Sequence, residues 1–179
     1  MSEGREIKMG ESGKQLYFLA CFDRNTEEKM EYLRRRIREA GILDEQTPGL
    51  PPHLTLATFS MEKLDTGMDL LEKFKTVDPF TVFFPSLGQF GDRVLFLSPE
   101  LNEDLKSFRD MVSGLETNGG IDWAPHVTLC ISDREGIQKA RSLSQDLFSP
   151  FEGTLEKVYL YEFWPTKLLG EAVLCCCLS

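Results

Sequence analysis

Short apolar runs bounded by Pro, Gly and Asp alternate along this chain with segments whose apolar residues recur every third or fourth position. The short runs predict strands and the periodic segments predict amphipathic helices. Residues 15–22 have the length and aromatic content of a strand. Asn25 or Thr26 is then expected to cap a helix, with Glu28 in its first turn, Met30, Leu33 and Ile37 on one face and Gly41 as its stop. A loop rich in Pro and Gly over 47–52 leads to a strand over 54–59. A second helix is expected over 61–76, with Leu64, Met68, Leu71 and Phe74 on one side. Strands over 79–84 and 93–97 flank the connector 85–91, whose Gly88-Gln89-Phe90-Gly91 reads as a turn.

The order then repeats. A helix is expected over 101–115, followed by the loop Asn118-Gly119-Gly120, a strand from Pro125 onward, a helix over 135–147 and closing strands over 153–163 and 169–178. Both halves read strand–helix–strand–helix–strand, and Pro79-Phe80 and Pro150-Phe151 hold corresponding places. Two copies mark a duplicated lobe and not a solenoid. The expected fold class is α+β, with two lobes related by a pseudo-twofold axis. Mixed or antiparallel sheets surround a central cleft, and helices cover the outer faces. A flexible tail is expected over 1–14 and a single two-lobed domain over 15–179.

Composition narrows the picture modestly. A hydrophobic fraction of 41% with 27% charged residues suits a globular domain of 179 residues. No apolar run approaches the roughly 20 residues that span a bilayer, and the polar start, Met1 to Glu6, does not resemble a secretory signal. A cytoplasmic monomer with reduced thiols is the expectation. Cys175-Cys176-Cys177 reads as part of a buried strand in which cysteine acts as a small hydrophobe, with no spaced pair to hold a metal. A net charge of −9 and a pI near 4.8 disfavour sequence-independent grip on long nucleic acid. The basic run Arg34-Arg35-Arg36-Ile37-Arg38 lies within a helical pattern and reads as a solvated face.

The chemistry is concentrated in one repeated string. The chain has two histidines, and both open a His-aliphatic-Thr-Leu sequence preceded by proline, Pro52 to Leu56 and Pro125 to Leu129. In a strand, residues i and i+2 share a face, so His53 and Thr55 project together, as do His126 and Thr128. Alternation continued along each strand adds Ala57 and Cys130 to these faces, with Leu54, Leu56, Val127, Leu129 and Ile131 opposite. Packing needs no second copy of such a string, whereas acid–base chemistry at a phosphate needs two proton-transfer groups. No Gly-x-Ser-x-Gly elbow, Walker loop or dinucleotide fingerprint is present, and two histidines leave a catalytic zinc site short of a third ligand.

The paired His-x-Thr motifs in a duplicated α+β chain resemble the 2H phosphoesterase superfamily, the LigT-like group of RNA 2′,3′-cyclic phosphodiesterases and 2′-5′ RNA ligases. The resemblance covers about residues 15–178 and implies His53, Thr55, His126 and Thr128 as catalytic residues, with no metal or organic cofactor. The partner it implies is a small nucleotide or an RNA 3′ end carrying a cyclic phosphate. Phe90, Tyr161, Phe163 and Trp164 are candidates to stack a base or ribose. The competing functions are 2′-5′ RNA joining at the same site and a nucleotide-binding module without turnover.

Overall fold

A computed structural model of the protein describes residues 13–115 and 122–175. Alternation builds its first strand, β1 (Gln15–Phe22): Leu16, Phe18, Ala20 and Phe22 are buried in the core while Tyr17 faces the other way. The chain continues as α1 (Arg24–Glu39), β2 (His53–Ser60), a short 3₁₀ turn, α2 (Leu64–Phe74) and β3 (Phe80–Phe84). Then come β4 (Ser86–Phe90), β5 (Val94–Ser98), α3 (Glu103–Asp110), β6 (Val127–Ile131), α4 (Arg134–Leu147), β7 (Phe151–Phe163) and β8 (Lys167–Val173). This is the expected α+β class.

The strands form one antiparallel sheet in the order β3-β7-β1-β2-β6-β5-β4, with β8 also paired to β7. The two halves meet where β2 lies against β6. The duplication is incomplete in space, because β7, from the second half, pairs with β1 of the first. Met30, Leu33 and Ile37 of α1, Leu71 and Phe74 of α2, Leu105 and Phe108 of α3, and Ile137 and Ala140 of α4 join the strands in one continuous apolar core. No helix among the described residues is long and apolar enough to cross a membrane.

Several local expectations change. Asp23, not Asn25 or Thr26, caps α1: its carboxylate accepts from the Thr26 N–H at 3.0 Å. Thr26 is instead buried in the first turn, where its hydroxyl accepts from the Thr154 N–H at 3.1 Å. Gly41 does end the helix region, at a φ of 77°. The connector expected as a turn is strand β4, a hairpin partner of β5, and the turn itself falls at Gly91-Asp92-Arg93. Cys175 is exposed and lies beyond β8, not in a buried strand. The reason is steric: β3 and β8 share one edge of β7, so β8 ends where β3 begins. Cys176 and Cys177 lie outside the described residues, as do residues 1–12 of the expected tail and the loop Asn118-Gly119-Gly120. Lys14 forms an ion pair with the buried Glu162.

The basic run is also split. Arg35, Arg36 and Arg38 are exposed on α1, but Arg34 is only 5% exposed. Its guanidinium donates to the Thr128 carbonyl from Nε (3.2 Å) and Nη2 (3.0 Å), to the Leu50 carbonyl (3.3 Å), and to Gln46 Oε1 (3.1 Å) and Glu31 Oε1 (2.9 Å). A buried charge with this many acceptors is satisfied, and removing it orphans buried carbonyls. Arg34→Leu is therefore expected to lower stability by about 2–4 kcal/mol. Arg35→Leu and Arg36→Leu should stay within about 0.5 kcal/mol of wild type. Urea denaturation midpoints check both.

Candidate active site

Two prolines deliver the two histidines. Each Pro-His step leaves the imidazole beside the carbonyl two residues back: His53 Nδ1 lies 2.8 Å from the Pro51 oxygen and His126 Nδ1 2.8 Å from the Ala124 oxygen. A carbonyl can only accept, so Nδ1 carries the proton in both neutral rings. Each Nε2 makes no hydrogen bond among the described residues and is the atom available for proton transfer.

Strands β2 and β6 pair antiparallel at Leu54 and Val127, both fully buried. Residues directly opposite in such a ladder share a face. His53 therefore lies across from Thr128 and Thr55 across from His126, with all four side chains on the face opposite the buried pair and all four partly solvent-accessible. Alternation then breaks at the same place in both strands. Leu56 is an extra residue between the Thr55–Leu19 and Ala57–Phe18 pairs, and Leu129 is extra between Thr128–Phe96 and Cys130–Leu95. These bulges turn Ala57 and Cys130 into the interior, where each is at most 2% exposed, rather than toward His and Thr. Thr58 takes the place expected for Ala57.

Beyond the single β2–β6 pair, side chains reach across between the halves. Trp123 Nε1, from the second half, donates to the Thr55 carbonyl at 3.0 Å, and Arg34, from the first, donates to the Thr128 carbonyl. Each motif threonine is thus held through its main chain by a residue of the other half.

Two cavities flank this arrangement and meet at Thr55. One, of about 170 Å³, is lined by Tyr17, Leu19, Leu50, His53, Phe163 and Trp164, among others. The other, of about 320 Å³, is bordered by Thr58, Phe90, Arg109, Asp122, Trp123 and His126. Phe90 stands edge-on to His126 with ring centres 4.8 Å apart, and Phe96 packs on the same imidazole at 5.3 Å. Gly88, opposite Phe96, makes room for that ring: a Cβ there would lie 2.2 Å from it. Trp164, 67% exposed, borders the His53 cavity. Tyr161 borders neither cavity; its ring lies 5.9 Å from Phe163 on β7. Sequence reasoning did not single out Trp123, Arg109, Tyr17 or Thr58. Trp123 had a faint signal, since it precedes His126 by the three residues that separate Leu50 from His53. Among the described residues no three His, Cys, Asp or Glu side chains gather where they could hold a metal ion.

A family model described as the 2′-5′ RNA ligase superfamily matches residues 22–163, most of the chain. The chain belongs to that superfamily. Its fold is similar to that of LigT from Escherichia coli, at 19% identity and a TM-score of 0.62, over 90% of this chain and 98% of LigT. It is also similar to the TT0787 protein of Thermus thermophilus, at 14% identity and a TM-score of 0.63, over 89% and 97% of the respective chains. No protein with a curated description matches it in sequence.

In this superfamily member the two imidazoles sit in different surroundings. Burial pushes His53 down from the usual 6.5 to about 4. The Arg34 and His126 charges act in the same direction, while the hydrogen bond to the Pro51 carbonyl opposes them. His53 is therefore neutral in the folded protein near pH 7. The unfolded chain takes up this proton at higher pH than the folded one, so stability is lost as pH falls from about 6.5 toward about 4. The His53 ring carbon signals are expected to titrate near pH 4 by NMR. A His53→Asn variant should lose less stability than wild type between about pH 7 and about pH 4.5 in urea unfolding; an equal loss would contradict the assignment.

Proposed function

We propose that this protein is a metal-independent phosphodiesterase that opens 2′,3′-cyclic phosphates of RNA ends or small nucleotides. The observation that carries this reading is the crossed square of side chains, with each histidine opposite the other motif's threonine and both Nε2 atoms unengaged. Opening the ring forms a bond from a water oxygen to phosphorus and breaks the bond to the 2′ or 3′ oxygen. One imidazole takes the water proton and the other protonates the departing oxygen. His53 and His126 are the two groups, and the orientation of the substrate between them sets which is base and which is acid. The Thr55 and Thr128 hydroxyls donate to the non-bridging oxygens, where negative charge grows. LigT has been solved with 3′-AMP, ATP and NADP+, which supports nucleotides as the ligand class for this fold. Joining RNA ends through a 2′-5′ linkage would use the same groups with their roles exchanged.

The test is turnover of 2′,3′-cyclic AMP in the presence of EDTA. Sustained hydrolysis is expected, whereas loss of activity restored by zinc or manganese would replace this mechanism with a metal-assisted one. Saturable binding without turnover would mark a binding module instead.

His53→Ala and His126→Ala should each cost roughly 10²–10⁴-fold in kcat, with the double variant little worse than either single one because the two groups act in one displacement. Near wild-type turnover by either single variant would sink the mechanism. Thr55→Val and Thr128→Val keep the branched shape and should slow turnover by roughly 10–100-fold with little change in unfolding midpoint.

A further inference from the structure

The residue three places before each motif histidine is tied to the threonine of the other motif, by different means in the two halves. In the second half that residue is Trp123, and its indole N–H donates directly to the Thr55 carbonyl at 3.0 Å. In the first half it is Leu50, whose side chain has no donor. There the link runs through Arg34, which donates to the Leu50 carbonyl at 3.3 Å and to the Thr128 carbonyl at 3.0 Å. The residue two places before each histidine supplies the carbonyl beside Nδ1, Pro51 for His53 and Ala124 for His126. Each approach to a histidine is thus a bracket. One carbonyl orients the imidazole, and the residue before it is linked to the threonine standing opposite that imidazole.

The two brackets differ in strength. All three guanidinium nitrogens of the buried Arg34 have acceptors, whereas the half-buried Trp123 holds Thr55 through a single N–H. The indole itself is fixed, because the Arg109 guanidinium packs over it at 5.4 Å, and it forms part of the wall of the cavity that Thr55 and His126 share. The β2–β6 ladder ties these two motif strands at one pair, Leu54 and Val127, so the Trp123 bond is a further tie between the main chains of Thr55 and the His126 segment. Accepting the phosphodiesterase reading, we infer that Trp123 is a positioning residue, whose N–H bond to the Thr55 carbonyl sets the Thr55 hydroxyl against His126. Proton transfer at His126 and the hydrogen bond from Thr55 then act on the same phosphate. Trp123 moves no proton itself, since its only polar hydrogen is engaged by the carbonyl. A misplacement of about 1 Å at a reacting centre can cost roughly 10²-fold in rate. Pairing of Thr55 with Leu19 of β1 holds the far side of β2, so only part of that loss is expected.

A double-mutant cycle with 2′,3′-cyclic AMP as substrate tests the role. Trp123→Phe keeps an aromatic ring and removes the N–H. Replacing the indole by benzothiophene keeps its shape as well, with sulfur where the N–H was. Each change should lower kcat by roughly 10-fold and alter KM by less than about twofold. In a Thr55→Val background the same changes should cost less than about twofold, because the hydroxyl they position is already gone. In a Thr128→Val background the full loss should remain. A merely structural role would lower the unfolding midpoint and cut activity alike in all three backgrounds. Full kcat in the benzothiophene variant, or equal losses in the Thr55→Val and Thr128→Val backgrounds, overturns the inference. Absence of cyclic AMP turnover in wild type would remove the phosphodiesterase reading instead. The same cycle is then read as affinity for the adenosine–vanadate complex, a five-coordinate mimic of the reacting phosphate. Coupling confined to Thr55 keeps the positioning role, and its absence removes it.

Discussion

The cleft depends on two main-chain carbonyls, those of Thr55 and Thr128, and on what satisfies them. Strands β2 and β6 register at one pair, Leu54 and Val127, so their own ladder alone does not hold the two motif strands against each other. Trp123 and Arg34 close the gap, each crossing from its own half to the threonine carbonyl of the other. Buried carbonyls without donors are costly, so the two side chains hold the motif strands together and also fix their separation. The loop after α1 reinforces the second strand, where the Glu45 N–H donates to the Ile131 carbonyl at 2.8 Å and Asp44 accepts from the Ile131 N–H at 3.1 Å.

The histidines inherit their orientation from the same main chain. Each Nδ1 is engaged by a carbonyl two residues upstream, and among the described residues no acidic side chain bonds to either ring. That differs from a triad, in which a carboxylate holds the imidazole and stabilises its charged form. Here the burial that positions His53 also keeps it neutral. Around His126 the packing is aromatic, from Phe90 and Phe96, and the missing side chain of Gly88 leaves space for one of those rings.

The bulges at Leu56 and Leu129 are the deepest trace of the duplication. Both fall on the third residue after a motif histidine, and both reverse the phase of their strand there. Each strand thus presents His and Thr to the cleft and then returns small residues, Ala57 and Cys130, to the interior. Symmetry ends outside this centre, where β7 joins the first half and the two cavities acquire different size and charge.

Local periodicity carried most of the element order. The bounds of β1, the existence of the four α-helices among the described residues, the α+β class and the shared face of His53 with Thr55 and His126 with Thr128 follow from apolar spacing, because period 2 and period 3.6 are properties of neighbouring residues. What depended on distant chain could not be read this way. Strand β4 exists because β5 offers it an edge, Cys175 is exposed because β3 already occupies the edge that β8 would need, and Arg34 is buried because Thr128 and Leu50 bring acceptors to it. Alternation misplaced Ala57 and Cys130 because a bulge is set by the partner strand. Trp123 and Arg109 reach the cleft only through contacts that no local pattern encodes. Sequence by itself determined that each motif strand carries a His and a Thr on one face; tertiary structure decided that the two pairs face one another and what surrounds them, since both rest on hydrogen bonds between residues remote in the chain.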